Sequence, residues 1–388
     1  MSEKTMRRVE PKRVLIVAGE ASGDLHGANL VKAVHRLASE VRFCGIGGER
    51  LKEVDTELLF HNSQLAVVGI VEVLTKLRSI LRALGRVKQF LAEEHPDLAI
   101  LIDFPDFNLH VATHLKRRGI PILYYISPQI WAWRGWRIRK IKRLVDRMAV
   151  ILPFESALYG KEGIEVAFVG HPLLDIVKPT SRPEDFLSTL GVDKRKRIIG
   201  LFPGSRDHEV CRLLPSMLEA ARVMIGRLPN LHFLVSVAPG IDRQEVWHQM
   251  QVHNLPASIV DQNPYDAMAV SELLVVASGT VTLEAAILNT PMVILYKVSP
   301  LTYWIGRTMA RVQHIGLVNL VGGRTVAPEL IQGSVSPGRI AQEALAILID
   351  RERFSSMKSA LLDVKGKLGT PGASDRTARL ALDMMSRT

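Results

Sequence analysis

The chain has little sulfur chemistry to offer: its 388 residues include two cysteines, Cys44 and Cys211. Neither has a second thiol or a histidine pair nearby at metal-ligand spacing, which argues against a disulfide scaffold or a structural zinc and fits a reducing cytoplasm. Long apolar runs are missing as well. No stretch approaches the ~18 uninterrupted apolar residues of a membrane-spanning helix. The run "VLIVAG" that follows the basic start "MSEKTMRRVEPKR" is broken by Glu20 before it reaches signal-peptide length. A chain that neither spans a membrane nor is exported is therefore expected. No D-x-D occurs, so no divalent metal is expected at a sugar-nucleotide diphosphate. The first strand-to-helix loop also lacks G-x-G-x-x-G. Its Gly19, Gly23 and Gly27 fall four apart, and Glu20 and Asp24 put carboxylates where a pyrophosphate would have to lie.

That loop, "GEASGD", suits a neutral hydroxylated group held by Glu20, Ser22 and the Gly23 amide, with Asp24 beside them. For Asp24 the structural alternative is an N-cap of the helix that follows. Hydrophobic residues make up 47% of the chain and charged residues 23%, the balance of a globular protein, and the length favours two domains. A formal net charge of +11 asks for an acidic counterpart: nucleic acid, anionic lipid or a phosphorylated substrate.

Short apolar segments alternate with helical patterns from the start: "RVLIVA", "VRFCGI", "LAILID", "IPILYY" and "RMAVIL". The rhythm pauses at the proline-rich "GHPLLDIVKPTSRPEDF" and resumes with "RIIGLF", "LHFLVSV", "ASIVD", "ELLVVAS" and "PMVILYK". This predicts an α/β fold with two successive parallel sheets covered by helices. The expected division is a first domain over residues 1–175, a linker over 176–190, a second domain over 191–350 and a helical tail over 351–388 that packs back on the first domain. In open α/β sheets ligands lie beyond the carboxyl ends of the strands, so the active site is expected in a cleft between two facing domains.

Strand ends then supply the chemical candidates. "LAILI" runs into "DFPDFN", which places Asp103 as a general base for a hydroxyl nucleophile, with Asp106 read as the cap of a helix starting near Phe107. In the second half, Gly204, Ser205 and Arg206 sit between a strand and a helix, where free amides and a guanidinium make an anion site. Ser278, Gly279 and Thr280 repeat that arrangement, and Glu284 four positions later is placed to bind ribose hydroxyls. Two such loops in one domain point to a nucleotide diphosphate.

Trp131, Trp133 and Trp136 precede Arg137, Arg139, Lys140, Lys142 and Arg143. The cluster resembles a nucleic-acid surface, but without a reader fold it suits a phosphorylated or lipid-surface partner better, and a solvated basic helix face is the plain alternative. In "LAVVGIVEVLTKLRSILRALGRVKQF" the residues Leu65, Val67, Val68, Ile70, Val71, Val73 and Leu74 are too many for one side of a short element. Either buried core or a membrane-docking patch flanked by positive charge accounts for them.

Together, "AGEASGDLHG", "DFPDFN", "YYISPQIWAWR", "VGHPLLD", "LFPGSR", "ASGTVTLE" and "GLVNLVGGRTVAPELIQ" resemble the lipid-A-disaccharide synthase family over nearly the whole chain and in the family's order. The resemblance implies a GT-B fold of two facing Rossmann-like domains and metal-independent, inverting glycosyl transfer without a cofactor. The implied donor is UDP-2,3-diacylglucosamine and the acceptor 2,3-diacylglucosamine 1-phosphate. The products are UDP and a β-1,6-linked disaccharide phosphate for lipid A and lipopolysaccharide. It assigns Asp103 as the base that deprotonates the acceptor 6-hydroxyl. Arg206, the "SGT" loop, Glu284, Asn319 and Gln332 fall at donor-site positions, the last two on the resemblance alone. Glu20 and Ser22 fall on the acceptor side. It further implies peripheral contact with anionic lipid at the inner face of the inner membrane, no nucleic acid, and room for a homodimer. A UDP-sugar epimerase of the same architecture, the glycosyltransferase of the lipid-linked peptidoglycan disaccharide and a non-catalytic lipid-binding module are the rival readings.

Overall fold

The computed structural model describes residues 11–65, 73–133, 137–300, 303 and 313–387. The chain divides into two compact units, residues 1–172 with 370–388, and residues 173–369. In the first unit the strands are β1 (Arg13–Ala18), β2 (Arg42–Gly47), β3 (Glu57–His61), β4 (Leu98–Ile102), β5 (Ile122–Tyr125), β6 (Arg147–Val150) and β7 (Val166–Phe168). They form one parallel sheet in the order β3-β2-β1-β4-β5-β6-β7. β1 and β4 are apolar and buried almost from end to end, because helices cover both faces of a parallel sheet and leave neither side for polar residues. Leu15 and Val17 enter one core, and Val14, Ile16 and Ala18 enter the other.

The second unit holds β8 (Arg197–Phe202), β9 (Leu231–Ser236), β10 (Ala257–Val260), β11 (Leu273–Ala277), β12 (Met292–Tyr296) and β13 (Glu329–Ile331). These strands are also all parallel, in the order β10-β9-β8-β11-β12-β13. In each sheet the winding reverses once, between β1 and β4 in the first unit and between β8 and β11 in the second. The crevice at the carboxyl ends of those two central strands is where a doubly wound sheet takes its ligand. The loops after β1, β4, β8 and β11 carry Glu20, Asp103, Arg206 and Ser278 respectively.

Three strands carry no clear signal in the sequence. β3 is a half-buried edge strand, and β7 and β13 are three residues each, too short to show an alternation. The segment expected as a linker begins the second unit and includes the helix Pro183–Thr189, whose lead-in is held by Asp266 through the Thr180 and Ser181 amides. The tail expected as one piece from residue 351 divides. Helix Arg351–Lys367 stays with the second unit, packed on helices Val281–Ile287 and Leu317–Gly322.

Helix Ala373–Ser386 returns to the first unit and lies along helix Ala21–Leu37, burying Ala378, Ala381 and Met385 in the β1 core. Arg376 fastens this return. Its guanidinium donates to the Val169 carbonyl (2.8 Å), the Pro371 carbonyl (2.9 Å) and the Thr370 hydroxyl (3.2 Å). The stretch leaving the first unit is thereby tied to the stretch re-entering it. No helix among the described residues is long and apolar enough to cross a membrane.

Candidate functional site

At the end of β4 the backbone makes an unusual turn. Asp103 and Phe104 both have φ of +44°, and Ile126 at the neighbouring end of β5 has φ of +62°. Left-handed backbone in residues that carry a Cβ costs about 1–2 kcal/mol each and persists where surrounding contacts hold it. Here the Asp103 amide donates to the Tyr125 carbonyl (3.1 Å). The Asp103 carbonyl accepts from the Tyr124 hydroxyl (2.6 Å) and from Asn108 Nδ2 (2.7 Å). The Phe104 ring lies over Gly19, where an added Cβ would meet the ring 2.1 Å away, so the β1 loop passes β4 only because residue 19 has no side chain. The Asp103 carboxyl is pushed up to about 6, chiefly by burial and then by the Glu20 charge, against the Phe104 amide, which favours the ionised form. A carboxylate tuned this close to neutrality is matched to taking a proton from a hydroxyl.

Glu20 and Ser22 are exposed at the start of helix Ala21–Leu37, and Gly23 is buried beneath them. Asp24 differs from both of its expected roles. It is 5% exposed, and its carboxylate faces away into the turn after β2, accepting the amides of Gly48 (2.6 Å), Arg50 (3.0 Å) and Leu51 (3.2 Å). The N-cap position of its own helix is Glu20. Asp24 therefore closes the start of helix Glu49–Lys52, because three orphan amides there outcompete any single sugar hydroxyl. Asp106 is likewise not a cap. It lies in the first turn of helix Pro105–Arg117 and pairs with the buried Arg137 guanidinium.

Leu65 is 1% exposed and belongs to the hydrophobic core, so it is not part of a surface patch. Val67, Val68, Ile70 and Val71 lie outside the described residues, and of the side chains of Val73 and Leu74 nothing is described. In the aromatic segment, Trp131 donates from Nε1 to Glu155 (3.1 Å) and packs edge-on to Phe154. Glu155 is itself buried and pushed up to about 7 by that burial, although Ser127, Leu152 and Trp131 hydrogen-bond it. Arg139, Lys142 and Arg143 are exposed on helix Ile138–Leu144. Trp136 lies outside the described residues.

The second unit has a cavity of ≈ 440 Å³ at the carboxyl ends of β8 to β11. Gly204, Ser205, Arg206, Ser278, Gly279, Thr280 and Glu284 all line it, so two loops well separated in sequence meet at one recess. The Glu284 carboxyl is pushed up to about 7 by burial, against the Tyr265 hydroxyl, which stands 3.5 Å from Oε1 and favours the ionised form. Glu209 is a lining residue that sequence reasoning missed. Its carboxylate accepts the Ser205 amide (3.1 Å) and Arg206 Nη1 (3.1 Å). Gly204, at φ of +121°, is required beside it, because an added Cβ would stand 2.4 Å from Glu209 Oε2. The signal was available as an acidic residue in the first turn after a strand-to-helix loop.

Asn319 and Gln332 are not in this cavity's lining. Asn319 is fully buried; its Nδ2 donates to the Ala327 carbonyl and Glu329, and its Oδ1 accepts the Val326 and Ala327 amides. Gln332 exchanges two hydrogen bonds with the Val298 backbone (2.7 and 3.1 Å), joining the segments that follow β12 and β13. The structure gives both residues the work of holding loops. Among the described residues, no group of three or more His, Cys, Asp or Glu side chains forms a metal site.

A family model for lipid-A-disaccharide synthetase matches residues 14–380. The lipid-A-disaccharide synthase of Syntrophus aciditrophicus is 49% identical over 380 residues, covering 97% of this chain and 99% of that protein. That of Geobacter sulfurreducens is 46% identical, covering 97% and 98%. Among solved structures, a UDP-N-acetylglucosamine 2-epimerase from Listeria monocytogenes, described as putative, has a TM-score of 0.67 at 14% identity and covers 98% of both chains. The UDP co-structure of S. aureus MnaA has 0.66 at 14%, covering 97% and 98%, and the kitacinnamycin glycosyltransferase 0.65 at 14%, covering 97% and 99%. At that identity the structural likeness speaks for the fold, which is of GT-B type.

Proposed function

This chain belongs to the lipid-A-disaccharide synthase family, and on that premise we propose that its two units divide one glycosyl transfer between them. It is a glycosyltransferase that takes a UDP-sugar donor and a lipid acceptor. The donor in this reading is UDP-2,3-diacylglucosamine, held in the second unit, and the acceptor is 2,3-diacylglucosamine 1-phosphate, engaged by the first. Asp103 takes the proton of the acceptor 6-hydroxyl as that oxygen attacks the donor's anomeric carbon. The bond to UDP breaks on the opposite face, which inverts the configuration and gives the β-1,6 linkage. Glu20 and Ser22 hydrogen-bond the acceptor sugar. Arg206 and the amides of the Gly204–Ser205 loop neutralise charge as it develops on the departing diphosphate, and Glu284 accepts ribose hydroxyls.

The observation that carries the reading is the Asp103 carboxyl, half-buried at the switch point of its sheet and raised to about 6. An ordinary exposed aspartate would be a weaker base. The protein incubated in detergent with EDTA, the UDP-sugar and the radiolabelled acceptor phosphate is expected to form disaccharide. The rate should rise with pH through about 6, since Asp103 is active only when unprotonated. Asp103→Asn should lose at least ~100-fold, the usual contribution of a positioned base. Disaccharide formed at the wild-type rate by the variant would remove Asp103 from this role.

Membrane contact is part of the same proposal, because both substrates carry acyl chains. A groove beside β3 whose lining includes Lys52, Arg82 and Arg86 supports this, since basic side chains there suit anionic lipid. Sedimentation with phosphatidylglycerol vesicles, compared with neutral phosphatidylcholine vesicles, tests it. Equal binding to both would remove the electrostatic part.

A further inference from the structure

We propose that Tyr124 and Asn108 are positioning residues for the Asp103 carboxylate, acting on the backbone carbonyl of the same residue. The inference rests on the reading of Asp103 as the base. It goes further by naming what aims the base.

The Asp103 peptide is gripped from two elements. β5 supplies the Tyr125 carbonyl to the Asp103 amide and the Tyr124 hydroxyl to the Asp103 carbonyl. Helix Pro105–Arg117 supplies Asn108 Nδ2, which donates to the Asp103 carbonyl and also to the Ile102 carbonyl (3.1 Å). Tyr124 and Asn108 are both completely buried. Their polar groups therefore have strong reason to keep these partners, since water cannot replace them.

Most other residues with positive φ are glycines or asparagines, types that tolerate the left-handed region. At 103 and 104 the chain keeps an aspartate and a phenylalanine in that region, with two side-chain donors converging on one carbonyl oxygen. The direction of the Cα–Cβ bond follows φ and ψ, so the donors that hold this turn also set where the carboxylate points. Released, the two residues relax toward extended backbone and the carboxylate swings out of its half-buried position. Tyr124 and Asn108 touch neither substrate in this account, and their effect reaches the reaction through Asp103.

Tyr124→Phe deletes one oxygen and leaves the packed ring. In the full-length protein it is expected to lower kcat by roughly five- to tenfold, the equivalent of one lost hydrogen bond. The KM for the UDP-sugar and the Kd for UDP should stay unchanged. The acidic limb of the kcat profile, expected at about 6 in the wild type, should move down toward the ordinary aspartate range as the carboxyl gains water. Tyr159→Phe is the control, because Tyr159 is another fully buried tyrosine of the same unit whose hydroxyl donates to a backbone carbonyl, that of Pro128 (3.3 Å). It should leave kcat and the limb as they are. An unchanged kcat and limb in Tyr124→Phe would overturn the proposal, as would equal losses in the two variants, which would mark the effect as general destabilisation. Wild-type activity in Asp103→Asn would overturn the base assignment itself, and this inference with it.

Discussion

Replacing Asp24 decides between two uses of a carboxylate in the first loop, a hand for the acceptor sugar or a clamp for the turn after β2. The geometry supports the clamp. Asp24 Oδ1 accepts from the Gly48 and Leu51 amides and Oδ2 from the Arg50 amide. The Gly48 and Leu51 contacts are buried, and the turn closes so tightly that a Cβ on Gly48 would stand 2.8 Å from Asp24 Oδ2. Asp24→Ala strands two buried amides without a partner, at about 1–3 kcal/mol each, and loses their charge assistance, so a destabilisation of roughly 3–5 kcal/mol is expected. Asp24→Asn keeps an oxygen for Gly48 and Leu51 and sets an amide against the more exposed Arg50 N–H, for a smaller loss of about 1–2 kcal/mol. For a unit of this size each kcal/mol lowers the melting midpoint by roughly 2–4 °C, so the alanine variant should fall by about 6–20 °C and the asparagine variant by about 2–8 °C. Thermal unfolding by circular dichroism reads the midpoint. Acceptor KM, measured well below it, should match wild type in both variants. An asparagine variant with the wild-type midpoint and an acceptor KM raised tenfold or more would refute the clamp and return Asp24 to the sugar.

Two further outcomes test the second unit. Because the Glu284 carboxyl sits at about 7, it accepts ribose hydroxyls fully only when ionised; UDP affinity should strengthen as pH rises through 7, and Glu284→Gln should abolish that part of the dependence. Titration calorimetry at pH values on both sides of 7 shows it, and identical pH profiles for the two proteins would contradict the ribose role. Asn319→Ala leaves two amides, a carbonyl and the Glu329 carboxylate short of a partner, so urea unfolding should report a loss of at least about 3 kcal/mol. UDP affinity of the molecules that remain folded should hold, and a stable variant that fails to bind UDP would show that Asn319 reaches the ligand.

What could be read in advance follows how local each cause is. β1, β4, β8 and β11 announced themselves because burial on both faces leaves an uninterrupted apolar run, and the loops just after them were legible for the same reason. Asp103 was singled out by its position at the end of β4, and Arg206, Ser278 and Glu284, singled out in the same way, line one cavity. The left-handed turn at Asp103 was not, since its cause lies in a tyrosine 21 residues and an asparagine five residues away. Asp24 misled for a similar reason. Its expected cap was local, whereas its actual partners begin 24 residues later. Asn319 and Gln332 arrived with a motif and were read as ligand contacts, but a polar side chain fixed within a motif serves equally well by holding backbone. Leu65 shows the limit of composition, because an apolar cluster does not say which of its members face inward.

The Arg376 tie has a consequence for the order in which the molecule is made. Residues 173–369 are one unbroken stretch of chain, complete as soon as they have left the ribosome. The first unit is begun earlier but lacks helix Ala373–Ser386, and with it Ala378, Ala381 and Met385 of its own core, until the ribosome has read through all of the second. The unit that is translated first is therefore the last to be finished, and a nascent chain halted anywhere within residues 173–369 carries an apolar face on helix Ala21–Leu37 with nothing yet to cover it.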